Sequence, residues 1–453
     1  MVSISFCSVY NKINMLEKKL KKILTLAFLL ITTATSCFAI MDRTKISIQE
    51  AIEIASKNNL DIQATRLNLK IEENNIKEAN RLQNPAIGAQ FEMGKAGKGN
   101  PQQIGVVQTI ELGKRGARKE LAKSNLELTQ RNIEYFERDL RMDVREAYTN
   151  LLAKKAVLTT RMQQEETLKG MLDFAKERYK TRKVSEMDVL QAQLQVNQIA
   201  TEVNSAKYDV KTALYEFNKV INCPDGFYDT IDDHFTRNYE PLSIPKPSAK
   251  MPDFESISNQ AINNRVDIKI ALQEIEVAEK ELLVILRKRI PDFELIGGYS
   301  YQSRGMSDDG TFKNGAFAGF NFVNIPLFYN YSPEINNAKI KLEQAHLNYA
   351  SVENKAENDL KKAYEKFLTA QTNLNYYNEE LLSSSEELIK ASRKSYKDGK
   401  IDLTTLIQME ESYRMIIIAH TYATADYYNA WNYFVREVNN ENFKTITEEE
   451  TTI

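Results

Sequence analysis

Apolar residues recur at intervals of three and four through residues 116–180: Ile133, Phe136, Leu140, Val144, Ala147, Leu151, Leu158 and Met162. That spacing lays one stripe along the face of a helix. The stretch has no proline and one internal glycine, Gly170, among abundant Leu, Ala, Glu, Lys and Arg. These residues lose little freedom in a helix, so summed propensity agrees with the pattern. At ~1.5 Å per residue such a helix reaches roughly 100 Å. A second stripe runs through residues 333–397, from Leu342, Ala345, Tyr349 and Val352 through Leu360, Phe367 and Leu374 to Leu381. Its steps of three and four nearly alternate, as along a coiled-coil seam. Helices so long, and polar on their other faces, must bury their stripes against further helices.

Shorter stretches alternate with period two instead, which predicts strands. In 86–93, Ile87, Ala89, Phe91 and Met93 share one side, and Gly88, Gln90 and Glu92 the other. A Gly-rich loop, 94–101, leads to a second strand over 103–111. Strands over 292–302 and 315–325 flank the loop 303–314. In the first of these, Leu295, Gly297, Tyr299 and Tyr301 oppose Glu294, Ser300 and Gln302. Each hairpin follows a helix. One, over 47–83, opens with the capping-box pair Ser47 and Glu50 and ends at Asn84-Pro85. The other, over 253–290, ends at Pro291. Its segment from Ala261 to Ile268 echoes Ala55 to Ile62, and Asp61 and Pro85 stand at the same offset from Asp267 and Pro291. Return helices over 186–221 and up to about Asn439 complete each half. The chain is therefore an internal duplication: helix, β-hairpin, long helix, tip and return helix, twice.

This reading divides the chain into a leader, 1–39, a first repeat, 40–221, a linker, 222–252, and a second repeat, 253–439. An acidic tail, 440–453, is read as disordered. The linker holds five prolines and little periodicity. In the leader, four lysines (Lys18, Lys19, Lys21 and Lys22) precede an apolar run from Ile23 to Ile31 and small residues ending at Ala39. That is signal-peptide architecture, and it directs the mature protein out of the cytoplasm. Residues 1–14 precede the basic region, with Met15 as an alternative start. Lipidation at Cys37, after Ala34-Thr35-Ser36, is the alternative to cleavage after Ala39. Cys223 is then the only cysteine of the mature chain, which excludes a disulfide framework. The net charge of −2 gives no reason to expect nucleic acid. His234, His346 and His420 are scattered without metal spacing. No phosphate loop or nucleophile motif appears, so neither an enzyme, a cofactor nor a resident metal is expected.

Strands of ~9–11 residues can cross a bilayer when tilted. Four strands cannot close, and an open edge in lipid is too costly, so if these strands sit in a membrane several protomers must share one barrel; the alternative is a soluble pair of hairpins packed on helices. The plan over residues 46–439 resembles the TolC-like outer-membrane efflux proteins. The likeness is carried by two hairpin tips at equivalent places, Tyr179 to Asp188 and Tyr396 to Thr405. The family's tip pattern has Tyr, a Gly three residues on, and a later Asp-Val-Leu. Here Arg182 replaces the glycine of the first tip, and Thr405 the aspartate of the second, while Gly399 and Asp188 are kept. A finer resemblance, to the heavy-metal (cobalt/zinc/cadmium-type) branch, lies in Gln108, Ile110-Glu111-Leu112-Gly113-Lys114-Arg115-Gly116 and Arg118. Asn324, Pro326, Ser332, Glu334 and Ala338 match it in the second half.

The resemblance implies a mainly α protein with a small β part, assembled as a homotrimer. Its strands would form a 12-stranded β-barrel in the outer membrane of a Gram-negative bacterium, and its helices a periplasmic tunnel. A periplasmic adaptor and an inner-membrane RND-type pump would be its partners, and heavy-metal cations or other toxic small molecules its cargo. The alternatives are the duct of a type I protein-secretion system and a soluble periplasmic coiled-coil scaffold. Gly113 and Gly116 would let the chain pivot from strand to helix. Lys114, Arg115 and Arg118 are read either as a solvated turn or as specific ion contacts. At the tips, Tyr179, Arg182, Lys183, Asp188, Tyr396, Asp398, Gly399, Lys400 and Asp402 would gate the channel or meet the adaptor. Arg182 and Lys183 pairing with Asp398 or Asp402 of an adjacent hairpin is the gate expected.

Overall fold

The computed structural model describes residues 44–91, 101–223, 228–231, 235, 247, 251–302 and 314–440. The leader with Cys37, both hairpin loops, most of the linker and the acidic tail lie outside them. Within the first repeat, α1 (Ile48–Asn58) and α2 (Leu60–Ala79) lead into β2 (Ala86–Phe91) and β3 (Pro101–Ile110), then α3 (Lys114–Lys180) and α4 (Glu186–Val220). The second repeat runs α5 (Phe254–Asn264), α6 (Val266–Arg287), β5 (Asp292–Gln302), β6 (Gly315–Val323), α7 (Ser332–Tyr376), α8 (Glu379–Lys397) and α9 (Leu403–Val438). Two three-residue strands, β1 (Thr44–Ile46) and β4 (Tyr228–Thr230), pair in parallel. The second of these gives part of the proline-rich linker a fixed place on the helices.

Three helices expected as continuous are interrupted, two of them at an asparagine that competes with the helical backbone. Asn59 parts α1 from α2, and its side chain accepts from the N–H groups of Asp61 (2.9 Å) and Ile62 (3.0 Å). Asn378 parts α7 from α8 in the same manner, accepting from Leu381 N–H at 2.9 Å. Asparagine at such a position caps the next helix more favourably than it extends the last one. Arg265 parts α5 from α6 without a side-chain cap. Its guanidinium is engaged instead with the carboxylates of Asp267 and Glu437.

The duplication persists down to single hydrogen bonds. Asn222 and Asn439 close the two return helices in the left-handed region, at φ 57° and 54°. Each donates its side-chain amide at 2.8 Å to a carbonyl at a helix break, Asn222 to Asn58 and Asn439 to Asn264. An asparagine tolerates that backbone with little strain and still carries a donor.

Three apolar clusters lie along the helices. One gathers Ile52, Ile62, Tyr148, Leu151, Leu214 and Phe217 where α1 crosses α3 and α4. Its counterpart gathers Ile257, Leu360, Phe367, Trp431 and Phe434 where α5 crosses α7 and α9. The third joins the two hairpins near their tips, through Leu172, Val196, Ile389, Tyr396, Leu403 and Leu406. Among the described residues no helix is long and apolar enough to cross a membrane.

Candidate functional site

The four longer strands form one antiparallel sheet in the order β2-β3-β5-β6, so β3 and β5 join the two repeats. Ile104 faces Tyr299, Val106 faces Gly297, and Leu295 faces Phe320 across the ladder. This register puts Ile87, Phe91, Ile104, Val106, Leu295, Tyr299, Tyr301, Phe320 and Phe322 on one face, all exposed in the single chain. Gln103, Thr109, Glu294, Ser300 and Asn321 take the other face. The sequence pattern predicted this division for β2 and β5, and the register extends it to β3 and β6. The strand expected over 103–111 begins two residues earlier, at Pro101, and that over 315–325 stops at Val323.

Where strands turn into helices, charged side chains tie the junction together. Gly113 takes φ +74° against the Arg287 side chain, a backbone that suits glycine, and it starts α3. Lys114 then places its ammonium 2.8 Å from Asp292, the first residue of β5. Asp292 also accepts from the Asn324 side chain at 2.8 Å. Arg118 reaches back with two parallel bonds, 2.5 and 2.6 Å, to Glu111, which further accepts from Gln83 at 3.1 Å. Gln108 donates to the Gln83 carbonyl at 2.8 Å, and Glu334 pairs with Lys288 at 3.2 Å. Of the three cations expected here, Lys114 and Arg118 make specific contacts and leave the solvated-turn reading to Arg115, which is exposed. Gly116 is exposed as well, with a helical backbone that needs no glycine.

The hydrogen-bonded Arg118 guanidinium holds the Glu111 carboxyl below its ordinary value of 4.5. Stability from this pair is complete above the unfolded carboxylate value and is lost as pH falls through the lower folded one. We expect Arg118→Ala to cost about 1–3 kcal/mol at pH 7, because Glu111 keeps its place with one fewer partner. The difference between wild type and variant should shrink below about pH 4. Thermal midpoints of both proteins across pH 3–7 check this, and a constant gap would contradict it.

The tips solve one problem with different residues. In each, the long helix closes with paired 6→1 and 5→2-type bonds. Lys183 N–H donates to Arg178 (2.9 Å) and Arg182 N–H to Tyr179 (2.8 Å); Lys400 N–H donates to Ser395 (2.8 Å) and Gly399 N–H to Tyr396 (3.0 Å). Gly399 sits at φ 77° and Arg182 at φ 59°. The arginine thus takes the left-handed position at a cost of roughly 1–2 kcal/mol. Asp188 and Asp402 both serve helix starts. Ser185 caps α4 while Asp188 returns a bond to the Ser185 N–H at 2.9 Å. In the second tip Asp402 is itself the cap and accepts from Thr405 N–H at 2.8 Å. The first departure is absorbed by Arg182 itself, which takes the glycine's conformation, and in the second tip Asp402 caps the helix.

Asp398 lies 3.5 Å from Lys400 on the exposed turn. Among the described residues, neither Arg182 nor Lys183 makes an ion pair within the chain. The link between the two tips comes from a residue that the sequence pattern does not single out. Arg178, near the end of α3, donates to the Tyr396 carbonyl at 3.2 Å. Its guanidinium packs 5.6 Å from the ring centres of both Phe174 and Tyr396. Tyr396 is buried, whereas Tyr179, its equivalent in the first tip, is exposed. No local signal marks Arg178, because its partner lies 218 residues away. Among the described residues no group of His, Cys, Asp and Glu is placed to hold a metal.

An apolar-faced sheet continuing into long, tip-capped helices is the arrangement of a protein anchored in a membrane by strands. A family model described as "Outer membrane efflux protein" matches residues 51–222 and 257–434, and the chain belongs to that family. It is a channel protein of the outer membrane of a Gram-negative bacterium, extending into the periplasm, and not an enzyme. Solved structures share the fold. The CmeC outer membrane channel of Campylobacter jejuni superposes with a TM-score of 0.70 at 16% identity, covering 89% of this chain and 88% of that one. CusC gives 0.70 at 14% identity, over 88% and 93%. The outer membrane protein VceC of Vibrio cholerae gives 0.67 at 15% identity, over 87% and 97%. No curated protein sequence matches this one.

Proposed function

We propose that three copies of this chain form the outer-membrane duct of a tripartite efflux system that exports heavy-metal cations. The observation that carries the assembly is the open sheet: β2 and β6 are its edges, and each has a neighbour on one side only. Unpaired strand edges in lipid cost several kcal/mol per group, so the sheet must close on further copies. Four strands from each of three protomers make twelve, well above the smallest closed barrel. The long helices then continue as a periplasmic tunnel, with the tips turned towards a periplasmic adaptor and an inner-membrane RND-type pump.

The metal cargo rests on the stretch from Ile110 to Arg118. The ion pairs of Glu111 with Arg118 and of Lys114 with Asp292 are consistent with a structural reason for that motif. At the tips, Arg182 and Lys183 are free to meet Asp398 or Asp402 of an adjacent hairpin. We expect a deletion strain to accumulate zinc, cobalt, cadmium, copper or silver severalfold while clearing an organic dye normally. Dye retention without metal retention would overturn the cargo. No change in either would point to a protein-secretion duct. A chain that needs no detergent and forms no heat-sensitive trimer would overturn the channel assembly itself.

A further inference from the structure

The ladder contains one row unlike the others. Gly88 pairs with Gly105, Gly105 with Gly298, and Gly298 with Phe317, so three adjacent strands carry glycine and the fourth an aromatic. All four lie on the face opposite Ile104, Tyr299 and Phe320. If the apolar face meets lipid, this is the lumen face of the barrel.

The Phe317 ring does not stand up from that face. A β-carbon built on Gly298 would fall 2.7 Å from Phe317 Cζ, and one on Gly105 would fall 3.3 Å from the same atom. The ring therefore lies along the sheet over β5, with its tip at the side facing β3. Nothing approaches the corresponding position on Gly88 within 4 Å, so the ring stops short of β2. Its partial burial in a single chain, between exposed Ala316 and Ala318, agrees with a ring laid down. The neighbouring rows hold Gln103 with Ser300 on one side and Val107 with Ile296 on the other.

Resting on the trimeric-channel reading, we infer that Phe317 sets the width of the barrel lumen and that Gly105 and Gly298 hold its ring against the wall. A standing ring would project about 5–6 Å inward from each of three protomers, given the size of a phenylalanine side chain. Laid flat, it adds only its thickness. Gly298 cannot be enlarged without also meeting the Ile104 carbonyl, whereas a β-carbon on Gly105 meets chiefly the Gly297 carbonyl and the ring, at 3.1 and 3.3 Å. The three residues together thus decide what size of solute passes the membrane-embedded part. The row also places an uncharged, apolar band between the polar Gln103–Ser300 row and the Thr109–Glu294 pair nearer the helices, where the hydroxyl lies 3.3 Å from the carboxylate.

The test is polymer exclusion on single channels of the full-length trimer in planar bilayers. Graded polyethylene glycols are added on the side of the hairpin loops, to wild type, Phe317→Ala, Gly105→Ala and the double variant. All four are also measured in an Arg178→Ala background, so that a narrow tip does not hide the barrel. Phe317→Ala should shift the cut-off to larger polymers. Gly105→Ala should shift it to smaller ones, and the double variant should return to the Phe317→Ala value. Identical cut-offs in channels that insert as trimers would overturn the inference. If Phe317→Ala fails to assemble, Gly105→Ala decides by the same criterion. A wild-type protein that makes no channel would overturn the assembly on which the inference rests, whereas conducting variants with unmoved cut-offs would overturn only the role of Phe317.

Discussion

Arg265→Ala should cost about 3–5 kcal/mol, the largest stability loss of any single substitution outside the apolar clusters. Arg265 is 4% exposed at the break between α5 and α6. Its guanidinium gives two bonds to Asp267, at 3.0 and 2.7 Å, and one of 2.5 Å to the buried carboxylate of Glu437 on α9. It also reaches the carbonyls of Glu437 at 3.3 Å and of Ala356 on α7 at 3.4 Å. One side chain therefore fastens four helices of the second repeat. Removing it leaves Glu437 charged, buried and deprived of its main partner, which costs more than the pair itself contributes.

Urea or thermal unfolding of the detergent-solubilised protein measures the effect. A loss under about 1 kcal/mol would show that water reaches Glu437 freely, since exposed pairs contribute no more than that. Glu437→Gln added to Arg265→Ala should recover part of the loss, because a neutral amide is cheaper to bury unpaired than a carboxylate. Acidity should act in the same sense. Burial alone would raise the Asp267 carboxyl, but the hydrogen bond and charge of Arg265 outweigh it and hold the group below its ordinary value of 3.8. The stabilisation is whole above that value and disappears as the pH drops through the folded one, so wild type should lose more stability in acid than Arg265→Ala does.

Arg178→Ala should raise single-channel conductance severalfold. The guanidinium holds the second tip against the first through the Tyr396 carbonyl and two aromatic faces, in a partly buried setting. A charged hydrogen bond there contributes about 1.5–3 kcal/mol and each cation–π contact about 0.5–2 kcal/mol. In the trimer proposed above, three such links would strongly favour a closed arrangement. Arg178→Lys keeps the charge but loses the planar fork and the stacking, and should fall between wild type and alanine. Arg182→Ala in the same recordings tests the pairing between protomers. An exposed pair contributes only ~0–1 kcal/mol, so its effect should be smaller and should vanish at high salt. Unchanged conductance in Arg178→Ala would mean that the apolar packing around Tyr396 holds the tips together without it. Unchanged conductance in Arg182→Ala would remove the expected gate.

Much of this architecture is legible in the order of residues alone, because local periodicity reports which face of an element is buried. Ile133 to Met162 declare a helix, Leu295 to Tyr301 a strand with one apolar face, and Pro85 and Pro291 the ends of equivalent helices. The tips, too, are visible in Tyr179, Asp188, Tyr396 and Gly399. Their compensation is not. Arg182 takes a glycine's backbone conformation, and Asp402 does for α9 what Ser185 and Asp188 together do for α4. Asn59 and Asn378 carry a helix-cap signal in their residue type, but long apolar stripes on either side outweigh a single asparagine.

The sequence by itself thus determined the long elements, their order, their duplication and the apolar faces of β2 and β5. All of these follow from interactions within a few residues, where spacing along the chain equals spacing in space. The tertiary structure alone decided which charges meet: Lys114 with Asp292, Arg265 with Glu437, and Arg178 with the second tip. It also decided that β4 of the linker pairs with β1, and that the Phe317 ring lies over Gly298 with its tip facing Gly105. Each joins residues from different helices or strands, and no periodicity carries that information. Their proximity arises only when the two repeats pack side by side and the register of four strands is fixed.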